Sequence, residues 1–368
     1  MEDSERRDER AKHLFLSHLQ ARVGSSLVAR LGNLSPEAIF ETPYSELVGK
    51  TGNYQKVERL FDGSQRGFDA GAVEAQLAAL GISAITLADE DYPAMLRNVP
   101  DPPPALYLDG AIPDAPSVAI VGSRKASATG IEMAGKLGFA LAERGVCVVS
   151  GLALGVDAAA HRGAVDAAGR TVGVLGCGID VVYPRSNRAL FDSVRRHGAL
   201  VSEYFLGEAP LAWRFPARNR IIAGLASSVV VVEAPEHSGA LITARHGLEA
   251  GRDVWAVPGP PGVRECRGSN GLLADGAGVL WDIPEFLEAV APRGGTGPEP
   301  PAPGVPAGLP DAEVAALSGV GLEPRGVDAV ARRSGIVMSE LLPALTLLEL
   351  KGFVHRDAVG AYVRRAVP

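Results

Sequence analysis

Three short segments of this chain place arginines beside glycine, proline, asparagine or hydroxyl residues, each just after an apolar run. They are Val121-Gly122-Ser123-Arg124-Lys125 continuing to Gly130, Tyr183-Pro184-Arg185-Ser186-Asn187-Arg188, and Phe215-Pro216-Ala217-Arg218-Asn219-Arg220. A guanidinium forks onto phosphate oxygens, and backbone N–H groups at a helix start receive the same oxygens, so this chemistry suits a phosphate-rich polyanion. Ser123, Ser127 and Thr129 add hydroxyl donors to the first segment. A fourth segment, Glu233-Ala234-Pro235 to Ser238-Gly239-Ala240-Leu241-Ile242-Thr243, offers another small-residue helix start, and Gly151 closes the strand ending at Ser150.

Each of these residues also has an inward reading. Arg124 can cap a carboxylate, with Asp157 as the partner. Phe191, one turn after Arg188, is either an aromatic beside a cation, the pairing that holds single-stranded bases, or a core residue of its own helix. Cations at a helix amino terminus oppose its dipole, so Arg218 and Arg220 call for an anion nearby. That anion is either bound phosphate or one of the strand-end carboxylates Glu203 and Glu233, and at least one arginine is expected to be held by them.

The elements that position these loops follow from apolar runs at 117–121, 146–150, 171–175, 199–203, 228–233 and 253–257, separated by helical patterns. Such alternation calls for a doubly wound parallel sheet, an α/β fold, in which the loops gather along the carboxyl edge where ligands bind. The Gly122-to-Gly130 loop superficially evokes a dinucleotide fingerprint but carries Arg124 and Lys125 where small residues are needed. The next strand ends in Ser150-Gly151 rather than an acidic residue. No nucleotide cofactor is expected. The chain lacks a Gly-x-Ser-x-Gly elbow and a Walker loop, which argues against enzymatic turnover.

With 368 residues, 46% of them hydrophobic, the chain has material for two or three domains. Its net charge of −7 disfavours nucleic acid until it is divided by region. Residues 1–116 hold 11 Lys and Arg against 18 Asp and Glu, whereas residues 117–275 hold 17 against 14. The positive charge therefore sits in the strand-rich centre, where loops on one edge can focus a local field. Cys147, Cys177 and Cys266 are far apart and read as reduced structural residues; the seven histidines show no metal-ligand spacing, and no metal is assigned. No apolar run spans a bilayer and no signal peptide is visible, so the cytoplasm is expected and the membrane is not.

Residues 1–110 read as a small helical domain, with Leu14, Leu16, Leu19, Val23, Leu27 and Leu31 near a 3.6 period, followed by a short strand around Ile82 to Leu87 and a stiff proline-rich connector. Within it, Leu47-Val48-Gly49-Lys50-Thr51-Gly52 reads as a helix-hairpin-helix turn or a packing turn. Residues 111–290 form the sheet domain, 291–310 a Pro/Gly-rich linker, and 311–368 three helices with a hairpin, a winged helix. The winged-helix region balances at zero charge, so its helix from Ser339 to Lys351 reads as a packing element as readily as a groove reader.

Ordered motifs carry a resemblance. Val121-Gly122-Ser123-Arg124, Ser150-Gly151-Leu152-Ala153-Leu154-Gly155-Val156-Asp157 through His161, Gly176-Cys177-Gly178-Ile179-Asp180 with Tyr183-Pro184, Ser202-Glu203, Phe215-Pro216-Ala217-Arg218-Asn219-Arg220 through Leu225, Glu233-Ala234 with Ser238-Gly239, Val257-Pro258-Gly259 and the upstream Asp91-Tyr92-Pro93 together resemble the DprA/Smf family of bacterial DNA-processing proteins. That resemblance implies a sterile-alpha-motif-like helical domain, an extended Rossmann domain and a winged-helix tail. It implies a non-enzymatic protein that binds incoming single-stranded DNA in natural transformation, duplex less well, protects it, and loads the RecA recombinase. By position Arg124 matches the family's phosphate-gripping arginine, Arg185 or Arg188 its basic residue after Tyr-Pro, and Phe191 its base-contacting aromatic. Family members pair through the late Rossmann segment, here near Leu272 and Leu273, a surface implicated in RecA contact. Two other readings stay open: a nucleotide-processing enzyme of the phosphoribohydrolase class, whose Pro-Gly-Gly and Gly-Thr-x-x-Glu signature is absent here, and a winged-helix regulator.

Overall fold

Valine and isoleucine dominate the central apolar runs, and in the computed structural model these runs are strands β3 (Ser117–Val121), β4 (Cys147–Ser150), β5 (Thr171–Val174), β6 (Gly198–Ser202), β7 (Ser228–Val231) and β8 (Asp253–Ala256). The structure describes residues 2–23, 31, 33–44, 46, 54–65, 67–291, 309–321, 326–356 and 360–364. Contacts divide the chain into two units, Met1–Pro298 and Glu299–Pro368.

In the first unit, β6, β5, β4, β3, β7 and β8 lie side by side and parallel, in that order. The order reverses between β3 and β7, which makes their carboxyl ends the switch point of the sheet. Burial on both faces is what lets these strands be continuously apolar. One face, carrying Ala119, Val121, Val149, Val172 and Val229, packs on α9 (Arg214–Gly224) and α10 (Gly239–Glu249). The other, with Val118, Ile120, Val148 and Val230, packs on α6 (Ala128–Glu143), α7 (Val156–Asp166) and α12 (Ile283–Val290). Helix α8 (Arg188–His197) follows a single 3₁₀ turn, Arg185–Asn187, and α11 (Arg267–Ala274) precedes a short edge strand, β9 (Gly278–Val279).

The sheet is larger than the sequence suggests. Strands β1 (Ser83–Thr86) and β2 (Ala105–Gly110) extend it antiparallel beyond β6, giving nine strands, so the carboxyl half of the expected connector is a strand. Its signal is masked because Pro102, Pro103 and Pro104 run directly into it. Pairing begins at Ala105, the first residue after them able to donate to a ladder. Leu106 and Leu108 then face one core and Ala105 and Tyr107 another.

Helices α1 (Glu2–Val23), α2 (Pro36–Glu41), α3 (Tyr54–Gln65) and α4 (Ala70–Ala79) precede the sheet, and a single turn, α5 (Ala94–Arg97), lies between β1 and β2. Phe15 of α1 meets the rings of Phe40, Phe61 and Phe68 at 5.4, 5.5 and 5.3 Å. The opposite side of α1 leans on the sheet: Ser17 donates to the Glu203 carbonyl at 3.2 Å and Gln20 to the Glu203 carboxylate at 2.6 Å. The Leu47–Gly52 turn lies outside the described residues.

The second unit holds α13 (Asp311–Gly319), α14 (Val327–Ser334), α15 (Met338–Leu350) and the hairpin β10 (Val354–Arg356) with β11 (Tyr362–Arg364). Leu317, Val330, Leu341, Leu345, Leu348, Val354 and Tyr362 form its core. Three helices and a wing-like hairpin is the winged-helix order. Among the described residues no helix is long and apolar enough to cross a membrane.

Candidate nucleic-acid interface

At the switch point, where a Rossmann sheet holds a pyrophosphate, this chain places a carboxylate. Ser127 caps α6, its hydroxyl accepting from Gly130 N–H at 3.1 Å, and the same hydroxyl donates to Glu233 at 2.5 Å while Ser127 N–H donates to the other carboxylate oxygen at 2.9 Å. A Cβ on Gly130 would stand 2.7 Å from that carboxylate, so glycine is what admits it. Glu233 thus supplies the anion that the helix start attracts. The phosphate role read for Ser127 and Gly130 is corrected accordingly, because a phosphate there would meet a fixed negative charge.

The α9 positions Arg218, Asn219 and Arg220 also turn inward. Arg218 is buried and donates to the carbonyls of Gly151 and Val174. Its guanidinium and the Asp157 carboxylate flank Gly151, where a Cβ would come within 2.6 and 2.8 Å of them. Burial pushes the Asp157 carboxyl up and the Arg218 guanidinium down, each partly offset by the other's charge. Arg220 grips Glu203 with both terminal nitrogens, at 2.9 and 2.7 Å, and reaches Asp101 through Nε at 3.1 Å. Arg218, Arg220 and Gly151 therefore brace the sheet edge, and the phosphate contacts expected of them are not available. The carboxylate alternative holds for Arg220, with Glu203 as the partner.

Other expected contacts are inward as well. Asn219 donates to the Gly239 carbonyl at 3.0 Å, and Asn187 to the Leu152 carbonyl at 3.0 Å, tying the loop after β5 to the loop after β4. Thr243 is buried, and Ser238 caps α10 by accepting from Ala240 N–H at 3.2 Å. Phe191 is 1% exposed and packs with Leu152, Leu175 and Val194, so it is a core residue and meets no base. Its helix needs an apolar face, and that need outweighs the adjacent cation.

What remains outward is compact in kind: Arg124, Lys125, Arg185 and Arg188 are exposed, as is Thr129, with Ser123, Gly122 and Ser238 half-buried and Gly239 exposed. None of these four cations makes an ion pair among the described residues. Arg124 is not free of partners altogether, since its guanidinium lies 5.0 Å from the centroid of Phe215, whose ring lies 5.5 Å from that of Tyr183. Phe215 fits there because Gly176, at the end of β5, leaves room; a Cβ would stand 2.9 Å from the ring. One cation and two aromatics thus join the loop after β3, the loop after β5 and the start of α9. Phe215 and Tyr183 lie inside the sequence motifs, but nothing in their spacing marks them as partners, and it is the fold that brings the rings together.

Leu272 packs against the sheet core and Leu273 is half-buried on α11. The cysteines are free and buried.

The family described as DNA recombination-mediator protein A matches residues 83–291, and the DprA winged helix domain matches 299–358. Protein Smf of Escherichia coli strain K12 is 40% identical over 284 residues, 75% of each chain. Protein Smf of Synechocystis is 43% identical over 212 residues, 56% of this chain and 53% of that one, so the match spans about half of that relative. The X-ray structure of DNA processing protein A (DprA) from Streptococcus pneumoniae superimposes with a TM-score of 0.58 at 35% identity, covering 67% of this chain and 90% of that one. A DNA processing protein A from Helicobacter pylori, described for its single-stranded DNA binding mode, gives 0.52 at 29% identity over 56% and 94%. With the nine-stranded Rossmann-like sheet, the winged helix and these matches in hand, the chain belongs to the DprA/Smf family of DNA-processing proteins.

Proposed function

We propose that this protein holds single-stranded DNA along the carboxyl edge of β3, β4 and β5 and passes it to a RecA-type recombinase without chemical turnover. The observation that carries the reading is the Arg124, Phe215 and Tyr183 assembly, a cation lying over one ring and a second ring beside it. Arg185 and Arg188 stand exposed on the same loop as Tyr183. Cations track a phosphate backbone and ring faces stack bases of any identity, which is the combination that sequence-tolerant single-strand binders use. Duplex DNA keeps its bases stacked inward and offers such rings nothing, so it binds more weakly.

The Helicobacter pylori relative described as binding single-stranded DNA supports this reading, and the family resemblance supplies recombinase loading, a homodimer paired near Leu272 and Leu273, and a cytoplasmic setting. Glu233, the acid nearest the switch point, is committed to Ser127, which leaves it poorly placed to act as a catalytic base. The test is a titration of labelled oligothymidylate and of duplex against the full chain, repeated for Arg124→Ala and Arg188→Ala, with strand assembly by purified RecA as a second readout. Tight oligothymidylate binding that both variants weaken supports the proposal. Equal affinity for duplex, or variants that bind like the parent, overturns it.

A further inference from the structure

Trp213 is a half-exposed indole held against Tyr204 and Arg214. It precedes Arg214 at the start of α9, is 47% exposed, and meets the buried Tyr204 ring edge-on at 6.4 Å. The Arg214 guanidinium lies 5.3 Å from the indole centroid and 4.6 Å from that of Tyr204. Arg214 is itself anchored, donating to the Glu208 carboxylate at 2.6 Å and to the Ala209 carbonyl at 2.7 Å. A side chain fixed this way has already lost its rotamer freedom, so a partner that stacks on it incurs little further ordering cost.

Its position gives the partner. Tyr204 lies two residues past the end of β6, whereas Phe215 sits against Gly176 at the end of β5 and under Arg124 from the loop after β3. The sheet order β6, β5, β4, β3 sets these rings along one edge. Three inter-strand gaps of about 4.8 Å, roughly 14 Å in all, separate the loop after β6 from the loop after β3, and Phe215, two residues after Trp213, lies between them under Arg124. We propose that Trp213 is a second base-stacking platform, which extends the single-strand track from Arg124 and Phe215 across the loop after β6. This rests on the single-strand reading above. At a stacked rise of about 3.4 Å per nucleotide the whole track spans about four nucleotides, of which Trp213 adds about one or two beyond Phe215.

The experiment measures affinity for oligothymidylates of four and of twelve nucleotides, at several salt concentrations, for the full chain and for Trp213→Ala, Trp213→Leu, Trp213→Phe and Arg124→Ala. Thermal melting confirms that each variant is folded. Loss of a stacked base costs roughly five- to a hundredfold in affinity. Trp213→Ala and Trp213→Leu should weaken the twelve-nucleotide ligand by that factor and the four-nucleotide ligand less, because a ligand that short can shift its register toward Arg124 and Phe215. Trp213→Phe should retain most of the affinity, because a π face is kept. The salt slope should stay that of the parent in all three, since the contact is uncharged, whereas Arg124→Ala should reduce it by about one. Unchanged binding of both ligands by Trp213→Ala, with Arg124→Ala still impaired, overturns the platform and leaves the single-strand reading intact. Leucine serving as well as phenylalanine also overturns it, because apolar bulk and not stacking is then what matters. A parent protein that binds neither ligand removes both proposals.

Discussion

Arg220 and Glu203 form a two-point ion pair, 2.9 and 2.7 Å, in which the arginine is 6% and the glutamate 1% exposed. The carboxylate also receives Gln20 from α1 at 2.6 Å, and Asp101 closes the far side of the guanidinium, so one buried charge cluster joins the helical segment, the sheet edge and α9. Such a pair adds little net stability over apolar residues of the same shape, but breaking it strands a charge without water. Arg220→Ala should therefore lower the unfolding free energy by about 3–5 kcal/mol, read by urea denaturation, with Glu203→Gln costing less. A loss under about 1 kcal/mol would mean water reaches the site on truncation.

Arg124 carries the opposite expectation. It is exposed and its one described partner is a ring, so its removal should spare the fold and cost affinity. Arg124→Ala should leave the melting temperature within a degree or two while reducing the salt dependence of oligonucleotide binding by about one unit of slope. Arg124→Lys should keep that slope, since the charge survives, yet lose part of the affinity, because an ammonium does not lie flat over Phe215 as a guanidinium does. An unchanged slope in Arg124→Ala removes this residue from phosphate binding.

The contrast between these two arginines marks what a single sequence conveys. Strand positions were legible because Val118 to Val121, Val148 to Val149 and Val229 to Val231 are apolar on consecutive residues, a pattern only a doubly covered sheet requires. Glu203 was legible as a carboxylate that could hold an arginine, but which arginine it holds and which stay outward were not. Arg218 and Arg220 share a motif with Phe215, yet the carboxylate that receives Arg220 lies 17 residues earlier and meets it only after β6 and α9 have packed. Phe215 gave no periodic signal either. Its place under Arg124 exists only in the fold, which brings Gly176 and Arg124, 39 and 91 positions away, around its ring.

Phe191 should act on stability and not on DNA. Its ring is buried between α8 and β5 beside Leu152, Leu175 and Val194. Phe191→Ala should destabilise the fold by about 3–5 kcal/mol through lost burial and the cavity left behind. At a temperature where the variant is still folded, its oligonucleotide affinity should match the parent. Affinity that falls while stability holds would return Phe191 to the binding surface.

A final expectation concerns acid. His161 is fully buried on α7, its Nδ1 2.7 Å from the Thr171 hydroxyl. Burial pushes its pKa down to about 3, a hydrogen bond with the Ser150 backbone offsets part of that, and the neighbouring Arg218 charge adds to the lowering. His13, also buried, is pushed down to about 4 by burial and by Lys12. Each histidine takes up a proton near pH 6.5 when the chain unfolds but stays neutral in the fold, so below pH 6.5 the unfolded state binds more protons and stability falls as the pH falls. From pH 6.5 to pH 5 each should cost about 1.5 kcal/mol, the slope approaching 1.36 kcal/mol per unit. Urea midpoints measured at pH 7, 6 and 5 should therefore decline, and His161→Gln, whose amide does not titrate, should flatten that decline by about one proton's worth even if it is less stable at pH 7. A slope identical to the parent's would mean that His161 is protonated in the fold, and the buried neutral assignment would be wrong.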